Sequence, residues 1–598
     1  MGGPGGGGSD WVLGWGKAMP RGSADLSFDR LVERMIQTFV EIDPVGATWL
    51  GIHGANDEHL PDRSRAACER EIGLLQGFLA EISAVRERDL SPDRAIDCRL
   101  ARGALSAKIL RFQKHPPWRE SPCFYVEPIA YGLYSLLARE FAPPARRAQA
   151  LLGRLREVCA VLAAARSNLE NPPAVFTETS GLATRGLRNF IATSVDRFIS
   201  SVRDPRLRAS LEGASSLAQA ALSVHQDWLE TDLMSRSKKE FAVGRQLYER
   251  LLAEEHSLAW GVDDLIAIGQ HVHRETMREI KRVAARIDSA GPWSAVVERL
   301  KLSHPPQGSI LKAYESEMAR ARGFLRKKGI ATLPEGESVR VLPTPEFARP
   351  TYPYAAYLGP APFETDQTGT LWVTEPDPGA DLVHREAQAK GHASFRIPIL
   401  VLHETYPGHH LQQVQSNLVK GHHLRHIFRS NSNTEGWALY CEGMMREQGY
   451  LADDRALLFQ LKDLLWRTCR IIVDVQLHTG NMGFNEAVQF LVKKAHLERP
   501  NAVAEVRRYC ANPTQPMSYL IGMIQIKELL EDCKASTGAG FDLRKFHDEF
   551  LSAGAIPIEL VRAAMGVERR KSSQNGRKRG SSPLGLVKGL DLLRTKGR

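Results

Sequence analysis

Residues 399–413 read ILVLHETYPGHHLQQ, and this stretch decides the class of fold that we predict. An apolar run from Ile399 to Leu402 leads directly into His403 and Glu404. Burying ionisable groups without partners costs several kcal/mol, so a buried run that ends in this pair requires a partner. A metal ion is one such partner, because histidine and carboxylate side chains are common metal ligands. We therefore predict that the run leads into a metal site.

The histidine spacing departs from the zincin pattern H-E-x-x-H. In that pattern two histidines one helical turn apart bind zinc, and the glutamate takes a proton from the zinc-bound water. Here Pro407 stands where the second histidine would fall, and the next histidines are His409 and His410. Proline interrupts a helix, and Gly408 permits an irregular backbone. If Pro407 and Gly408 form a bulge, His409 takes the second ligand position, and His410 is the alternative ligand.

A third ligand is expected downstream, where residues 430–447 read SNSNTEGWALYCEGMMRE. Thr434 or Asn433 can cap the N-terminus of a helix, which places Glu435 in its first turn. We predict Glu435 as the third protein ligand of one zinc ion. Glu442 lies two turns further along the same face, and we predict that it orients a ligand imidazole.

Composition excludes several classes of protein. The chain has 598 residues, 43% hydrophobic and 25% charged, which is typical of a globular protein with a large core. No run of about 18 apolar residues occurs, so no membrane-spanning helix is predicted. The first twenty residues lack the basic and apolar regions of a signal peptide, and the eight cysteines are scattered without a C-x-x-C pair. These features predict a cytoplasmic protein with no membrane partner, and they leave its oligomeric state open.

The formal charge of +10 is concentrated in the C-terminal tail. Residues 569–598 contain ten lysines or arginines and one acidic residue, so the rest of the chain is nearly neutral. We predict a flexible Gly-rich N-terminus over 1–26 and a disordered basic tail over 567–598. Nucleic-acid binding is not expected of the body, and the tail is its only candidate.

Helical patterns dominate between these termini. Over 265–287 apolar residues recur three and four positions apart, and the charged residues occupy the other faces, as an amphipathic helix requires. Similar patterns occur over 69–87, 152–162, 210–230 and 453–476.

One region departs from the helical pattern, between about residues 338 and 376. It contains SVRVLP, TYPYAAYLG and GTLWVTEP, which are β-branched and aromatic runs separated by proline and glycine. These runs predict short strands of a small sheet next to the active-site helix. We therefore predict a mainly α fold, with a catalytic unit over 27–566 and a zinc site over 403–442.

The segments HETYPGHHLQ and EGWALYCE resemble a bacterial family known as domain of unknown function number eight hundred and eighty-five. That family is similar to the gluzincins, the zincin-like metallopeptidases whose ligands are two histidines and a downstream glutamate. The resemblance extends to DPVGATWLGIHG (43–54), PTQPMSYLIG (513–522) and FDLRKFHDEFLSAG (541–554), and it spans roughly residues 28–566. It implies a two-lobed, helical zinc hydrolase with a central channel.

The same resemblance implies further site residues. Hydrolysis of a peptide bond needs a donor at the developing oxyanion, and Tyr519 in PMSYLIG resembles the tyrosine that serves this purpose in helical gluzincins. His547 is the alternative donor. By analogy with zincins, Trp372 and Val373 would bind the substrate backbone as an edge strand.

Together these features predict a zinc-dependent hydrolase. The predicted activity is that of a metallopeptidase that cleaves short or unfolded peptides with a metal-activated water, with Glu404 and Tyr519 as catalytic residues. Two alternatives stay open. One is a zinc amidohydrolase that acts on a C–N bond of a small metabolite. The other is a pseudoenzyme or binding protein in which Pro407 has degraded the zinc site.

Overall fold

The fold was analysed in a computed structural model, which describes residues 22–346, 348–349, 352, 354–569, 584–585 and 587. The flexibility predicted for 1–26 and the disorder predicted for 567–598 fall almost entirely outside these residues. The first helix begins at Ser23, four residues before the predicted catalytic unit.

Helices form most of the described chain. Before the sheet they are α1 (Ser23–Ile42), α2 (Pro44–Leu50), α3 (Arg65–Ala84), α4 (Pro92–Lys114), α5 (Pro117–Glu120), α6 (Cys123–Ala138), α7 (Pro144–Asn168), α8 (Ala174–Phe190), α9 (Asp196–Ser200), α10 (Pro205–Trp228), α11 (Arg245–His256), α12 (Val262–Ile287), α13 (Trp293–Lys301) and α14 (Ile310–Lys328). After the sheet they are α15 (Leu382–Ala389), α16 (Ile397–Glu404), α17 (His409–Asn417), α18 (His423–Ile427), α19 (Asn431–Glu447), α20 (Asp454–His478), α21 (Phe484–Phe490), α22 (Arg499–Ala511), α23 (Ser518–Thr537), α24 (Leu543–Ser552) and α25 (Ile558–Ala564).

The amphipathic pattern around residue 270 is confirmed by α12. Its apolar stripe, which includes Leu265, Ile268 and Val272, is buried, and the helix packs along α20. Gly269 permits this packing, because a Cβ atom at that position would lie 3.0 Å from the Ile472 side chain. No described helix has both the length and the apolarity needed to cross a bilayer.

The small sheet is also confirmed. It consists of β1 (Ser338–Pro343), β2 (Ala355–Leu358) and β3 (Thr368–Val373), in the order β1-β3-β2. The central strand β3 is parallel to β1 and antiparallel to β2. Its side chains alternate between two large apolar clusters: Leu371 and Val373 lie in one and Trp372 in the other. The sheet therefore lies between the two parts of the core.

The order of the strands corrects one prediction. Trp372 pairs with Leu342 on one side and with Ala356 on the other, and Val373 is paired on both sides as well. Both backbone edges of β3 are therefore occupied, and the prediction that Trp372 and Val373 bind a substrate as an edge strand is wrong. Within the described sheet, β2 is the strand whose outer edge faces the histidine motif.

Candidate metal centre

A break in the helix, rather than a bulge, separates the two halves of the histidine motif. Helix α16 ends at Glu404 and α17 begins at His409, and the turn between them contains a cis peptide bond before Pro407. Gly408 packs against the end of α16, where a Cβ atom would lie 1.9 Å from the carbonyl oxygen of His403. Only glycine fits this position, so the PG sequence specifies the break.

Helix α19 holds this turn in place. The indole Nε1 of Trp437, which is fully buried, donates a hydrogen bond of 2.8 Å to the carbonyl oxygen of Pro407. The thiol of Cys441 donates a longer bond of 3.6 Å to the same oxygen. Both residues belong to the EGWALYCE segment, so this segment positions the histidine motif as well as supplying Glu435. Sequence reasoning assigned no such part to Trp437.

The three predicted ligands lie together. The Nε2 atoms of His403 and His409 are 3.6 and 3.4 Å from Oε2 of Glu435. The two imidazole rings are nearly perpendicular, at 85°, with centroids 4.8 Å apart. One donor atom from each residue lies within 4.8 Å of the other two, a grouping that can hold a metal ion.

The donor set of this cluster fits zinc. Bonds of about 2.0–2.2 Å in a tetrahedral geometry separate ligand atoms by roughly 3.3–3.6 Å. The two distances to Glu435 fall in this interval. Oε2 of Glu435 is also buried and has no hydrogen-bond partner among the described residues. Such an acceptor is costly unless a cation or a donor satisfies it.

The charges of the cluster depend on one another. Burial disfavours ionised Glu435, but its contacts with His403 and His409 outweigh burial and hold the pKa of its carboxyl well below the usual range. Burial also disfavours protonated His403, but its contacts with Glu435 and Glu442 outweigh burial and raise its pKa to about 9. The raised pKa of His403 and the lowered pKa of Glu435 thus have the same cause, which is the contact between the imidazole and the carboxylate.

Glu442 lies behind His403, as predicted. Its Oε1 is 2.9 Å from Nδ1 of His403, and only 1% of the residue is exposed. This contact leaves Nε2 of His403 directed at Glu435. An acceptor on the far ring nitrogen sets the tautomer and the orientation of a metal-binding histidine.

Glu404 lies between α16 and the outer edge of β2. The backbone N–H of Tyr357 donates a hydrogen bond of 3.0 Å to Oε2 of Glu404. Burial raises the pKa of this carboxyl, and the charges of His403 and His409 oppose that rise. The side chain therefore combines a defined position with a pKa above the usual value of a glutamate.

His410 is directed away from the cluster. Its Nε2 lies 2.8 Å from Oε2 of Glu337, its Nδ1 lies 2.8 Å from the Tyr357 hydroxyl, and the residue is fully buried. Glu337 also accepts hydrogen bonds from Tyr406 and Arg322. Since both ring nitrogens have protein partners, the geometry favours His409 over His410 as the second ligand.

Two glycines bring Tyr519 next to the cluster. Helices α19 and α23 cross where Gly436 meets Gly522, and a Cβ atom on Gly522 would lie 1.8 Å from the carbonyl oxygen of Ser432. The Tyr519 ring then lies nearly parallel to that of His403, with centroids 6.2 Å apart. Burial raises the pKa of Tyr519, so its hydroxyl keeps its proton.

His547, the alternative donor, lies in the core. Its Nε2 is 2.8 Å from the Tyr440 hydroxyl, and its Nδ1 is 2.8 Å from the carbonyl oxygen of Ile330. Neither ring nitrogen is left to donate to a substrate. The geometry therefore favours Tyr519.

The helix that carries Glu435 begins earlier than predicted. Ser430 precedes its first residue, Asn431, so Glu435 lies in the second turn and not the first. Asn433 does not cap the helix, because its amide nitrogen donates to the carbonyl oxygen of Ile556 (2.6 Å) and its amide oxygen accepts from Gln412 (2.8 Å). These tertiary hydrogen bonds could not be read from local sequence.

A cavity of about 1760 Å³ lies beyond the C-terminal end of α17. Residues of α1, α2 and α7 line it, together with Phe363, Asn417 and His423. The cluster residues do not line it, and the predicted central channel stays a prediction.

The fold and the cluster define a mainly helical protein with a three-stranded sheet and a His-His-Glu group, of which His403 is buried and His409 and Glu435 are partly exposed. Residues 44–565 match the family described as "Bacterial protein of unknown function (DUF885)", and the chain belongs to this family. No curated protein matches the chain closely enough to be reported as a relative. The family description states no activity, so the metallopeptidase part of the sequence analysis stays a prediction.

Two solved structures share the fold. One is described as "a putative lipoprotein of unknown function from Shewanella oneidensis", with 24% identity, a TM-score of 0.74, and coverage of 90% of this chain and 99% of that one. The other is described as "the putative lipoprotein from Colwellia psychrerythraea", with 20% identity, a TM-score of 0.79, and coverage of 91% and 99%. At these identities the likeness shows the fold alone.

These descriptions correct the predicted location. Both neighbours are described as putative lipoproteins, a description that contradicts the prediction of a cytoplasmic protein, and that prediction is wrong. That prediction relied partly on the scattered cysteines, which are free wherever they are described. Free thiols do not define a compartment in a chain of this size, because a large apolar core needs no disulfides.

Proposed function

We propose that this protein is a zinc-dependent hydrolase, and specifically a metallopeptidase that cleaves short or unfolded peptides. One observation carries the proposal: donor atoms of His403, His409 and Glu435 lie within 4.8 Å of one another. Glu404, the residue next to one of these ligands, accepts a hydrogen bond from the backbone of β2. Glu404, His409 and Glu435 are partly exposed, and the surface that they form beside β2 is called the cleft below. This combination of three ligands and an adjacent carboxylate is a set that can support metal-assisted hydrolysis.

The residues of the cleft have complementary parts in the proposed reaction. A zinc ion bound by the three ligands would supply Lewis acidity, which polarises a carbonyl group and makes water more acidic. Glu404 accepts the proton of the attacking water and delivers it to the leaving amine. Tyr519, which burial keeps protonated, donates a hydrogen bond to the carbonyl oxygen as negative charge develops there.

The outer edge of β2 supports a peptide as the substrate. In an antiparallel pair, alternate residues direct their backbone groups at the partner strand. Tyr354 directs its carbonyl oxygen toward β3, where it accepts from Thr374 (2.8 Å), whereas Tyr357 directs its N–H toward Glu404. Ala355 lies two residues before Tyr357, so its backbone groups point to the same side of β2 and face the cleft. An extended peptide can bind to this edge by strand addition.

The substitution Glu404→Gln tests this proposal. The variant should keep zinc but lose turnover of a mixed peptide library by about 10²–10⁴-fold, because the amide cannot accept the proton of water. Glu447→Gln is the matched control, since Glu447 lies on α19 and pairs with Lys527 at 3.3 Å, away from the cluster. Product masses, compared with and without a chelator, report activity, metal dependence and the cleaved bond.

Two outcomes would contradict the proposal. Turnover by Glu404→Gln at the wild-type rate would exclude Glu404 as the base. A zinc-loaded wild-type protein that cleaves no peptide would exclude the peptidase, and hydrolysis of small amides would then separate an amidohydrolase from an inactive binding protein.

A further inference from the structure

His256 is a buried histidine that the proposed reaction does not use. It is the last residue of α11, and its side chain is fully buried. Its Nδ1 lies 2.8 Å from the hydroxyl oxygen of Ser432, and its Nε2 lies 3.1 Å from that of Thr514. Burial lowers the pKa of His256, so the ring is neutral and has one donor and one acceptor nitrogen. A hydroxyl group can pair with either nitrogen, and His256 therefore joins Ser432 to Thr514.

The two hydroxyl groups belong to the segments that position two residues of the proposed reaction. Ser432 lies on α19, three residues before the proposed ligand Glu435. Residues with this spacing lie one above the other on the same face of a helix. Thr514 lies between α22 and α23, five residues before Tyr519. His256 therefore links the start of the helix that carries Glu435 to the segment that leads into Tyr519.

Helices α19 and α23 touch through glycines where they cross. A Cβ atom on Gly436 would lie 2.5 Å from the carbonyl carbon of Gly522. Side chains that interdigitate normally set how far one helix is shifted along another, and glycine contributes none at this point. A link outside the crossing, such as the one through His256, can therefore set the relative position of the two helices.

Thr514 has a backbone conformation that its residue type disfavours. Its φ angle is 73°, in the left-handed region, where a β-branched residue is strained. Such a conformation persists only when the surrounding groups hold it. Here the Thr514 hydroxyl bonds to His256, and the backbone N–H of Thr514 donates to Oδ1 of Asp474 at 3.4 Å. The path of the chain that leads into Tyr519 therefore depends on these two buried side chains.

We propose that His256 is a positioning residue that fixes Glu435 and Tyr519 relative to each other. This inference rests on the proposed hydrolase function, in which Glu435 binds the metal and Tyr519 stabilises the oxyanion. The bond from His256 to Ser432 holds the ligand, and the bond to Thr514 holds the oxyanion donor. The two bonds therefore predict two separate losses of function.

The test removes each bond by itself. Ser432→Ala should weaken zinc binding about 3–10-fold, as expected for the loss of one hydrogen bond. Thr514→Val keeps the β-branched shape but loses the hydroxyl. It should lower kcat about 10–100-fold and leave KM and zinc affinity unchanged, because a small misplacement of a catalytic group costs this much. Competition against a chromophoric chelator measures zinc affinity, and kinetics on a peptide that the wild-type protein cleaves measure kcat and KM.

Two control variants keep the relevant bonds. Thr514→Ser keeps the hydroxyl and should have nearly the wild-type kcat. Thr434→Ala removes a different hydroxyl of α19, one that bonds to the carbonyl oxygen of Ser430 at 3.1 Å, and should keep the wild-type zinc affinity. Circular dichroism at the assay temperature shows whether each variant is folded. If Thr514→Val is unfolded, Thr514→Ala takes its place, since it lacks both the hydroxyl and the β-branch.

A wild-type kcat in Thr514→Val, or a wild-type zinc affinity in Ser432→Ala, would overturn the inference while leaving the hydrolase intact. An equal loss of kcat in Thr514→Ser and Thr514→Val would also overturn it, as would a loss of zinc affinity in Thr514→Val, which indicates general loosening of the site.

If the wild-type protein cleaves no peptide, the proposed peptidase fails, and zinc affinity alone decides the inference. Weaker binding in Ser432→Ala than in Thr434→Ala supports the inference, and equal binding overturns it. A wild-type protein that binds no zinc would overturn both the inference and the proposed function.

Discussion

His409 and His410 are adjacent in the sequence but occupy opposite kinds of environment. His409 directs Nε2 at Glu435 across 3.4 Å, and its Nδ1 is buried without a partner among the described residues. His410 has both ring nitrogens hydrogen bonded, to Glu337 and to Tyr357. Successive residues of a helix point about 100° apart, so α17 presents one histidine to the cleft and the other to the core. One short motif thus supplies a candidate ligand and a structural connection.

Removing the histidine of the cleft should have the largest effect. We expect His409→Ala to weaken zinc binding by more than about a hundredfold, since binding free energies of about 10–16 kcal/mol are shared among the ligands of a zinc site. Competition against a chromophoric chelator measures the affinity. Zinc affinity at the wild-type level would remove His409 from the set of ligands.

Removing the histidine of the core should act on stability instead. His410→Ala leaves Glu337 with fewer partners and Tyr357 without an acceptor, so we expect a loss of about 3 kcal/mol in the free energy of unfolding. Zinc content should stay near one ion per chain. Urea denaturation of the metal-free protein provides the first value and metal analysis the second. The assignment of His409 to the metal site and of His410 to the core would be contradicted if His410→Ala loses zinc and His409→Ala keeps it.

Asp474 on α20 is a third buried group, and two of its hydrogen-bond partners lie within five residues of Tyr519. Asp474 accepts hydrogen bonds from the Tyr248 hydroxyl (2.9 Å) and from the backbone N–H groups of Thr514 and Met517 (3.4 and 3.2 Å). Burial raises its pKa from 3.8 to about 7, although these hydrogen bonds oppose the rise. A raised folded-state pKa means that the stabilising contribution is present below the unfolded value and is lost as the pH rises toward 7.

We therefore expect the wild-type protein to lose stability relative to Asp474→Asn as the pH rises. The difference between their free energies of unfolding should change by about 2–3 kcal/mol between about pH 5 and about pH 8, because asparagine does not titrate. Denaturation curves at both pH values measure it, and zinc content should be equal in the two proteins. A difference that is constant across this range would show that Asp474 titrates normally.

Local patterns in the sequence were sufficient for part of this description. The apolar stripe of α12 and the strand-forming runs of the small sheet depend on spacing within one segment. The grouping of His403 with Glu435 joins two helices, α16 and α19, and is predicted from the metal-binding chemistry of the two motifs. The position of β3 between β1 and β2 depends on which segments pair, and this pairing is a tertiary property. The residues around Trp372 predict a strand, but they do not show which strands will flank it. The same is true of Asn433, whose amide is engaged by distant residues rather than by the start of its own helix.

The bond between Trp437 and Pro407 shows a similar limit. The sequence contains both residues in motifs that were recognised, but their contact across 30 positions depends on the break between α16 and α17. Gly408 is required at that break, because a Cβ atom there would clash with the end of α16. The proline-glycine pair in the sequence indicates this steric requirement only in part.

The central claim is that His403, His409 and Glu435 bind one zinc ion, and titration of the metal-free protein with zinc tests it most directly. We predict saturation at one ion per chain, and loss of that binding when all three residues are replaced. Fewer than half an equivalent of zinc in the wild-type protein, or equal binding in the triple variant, would contradict the claim.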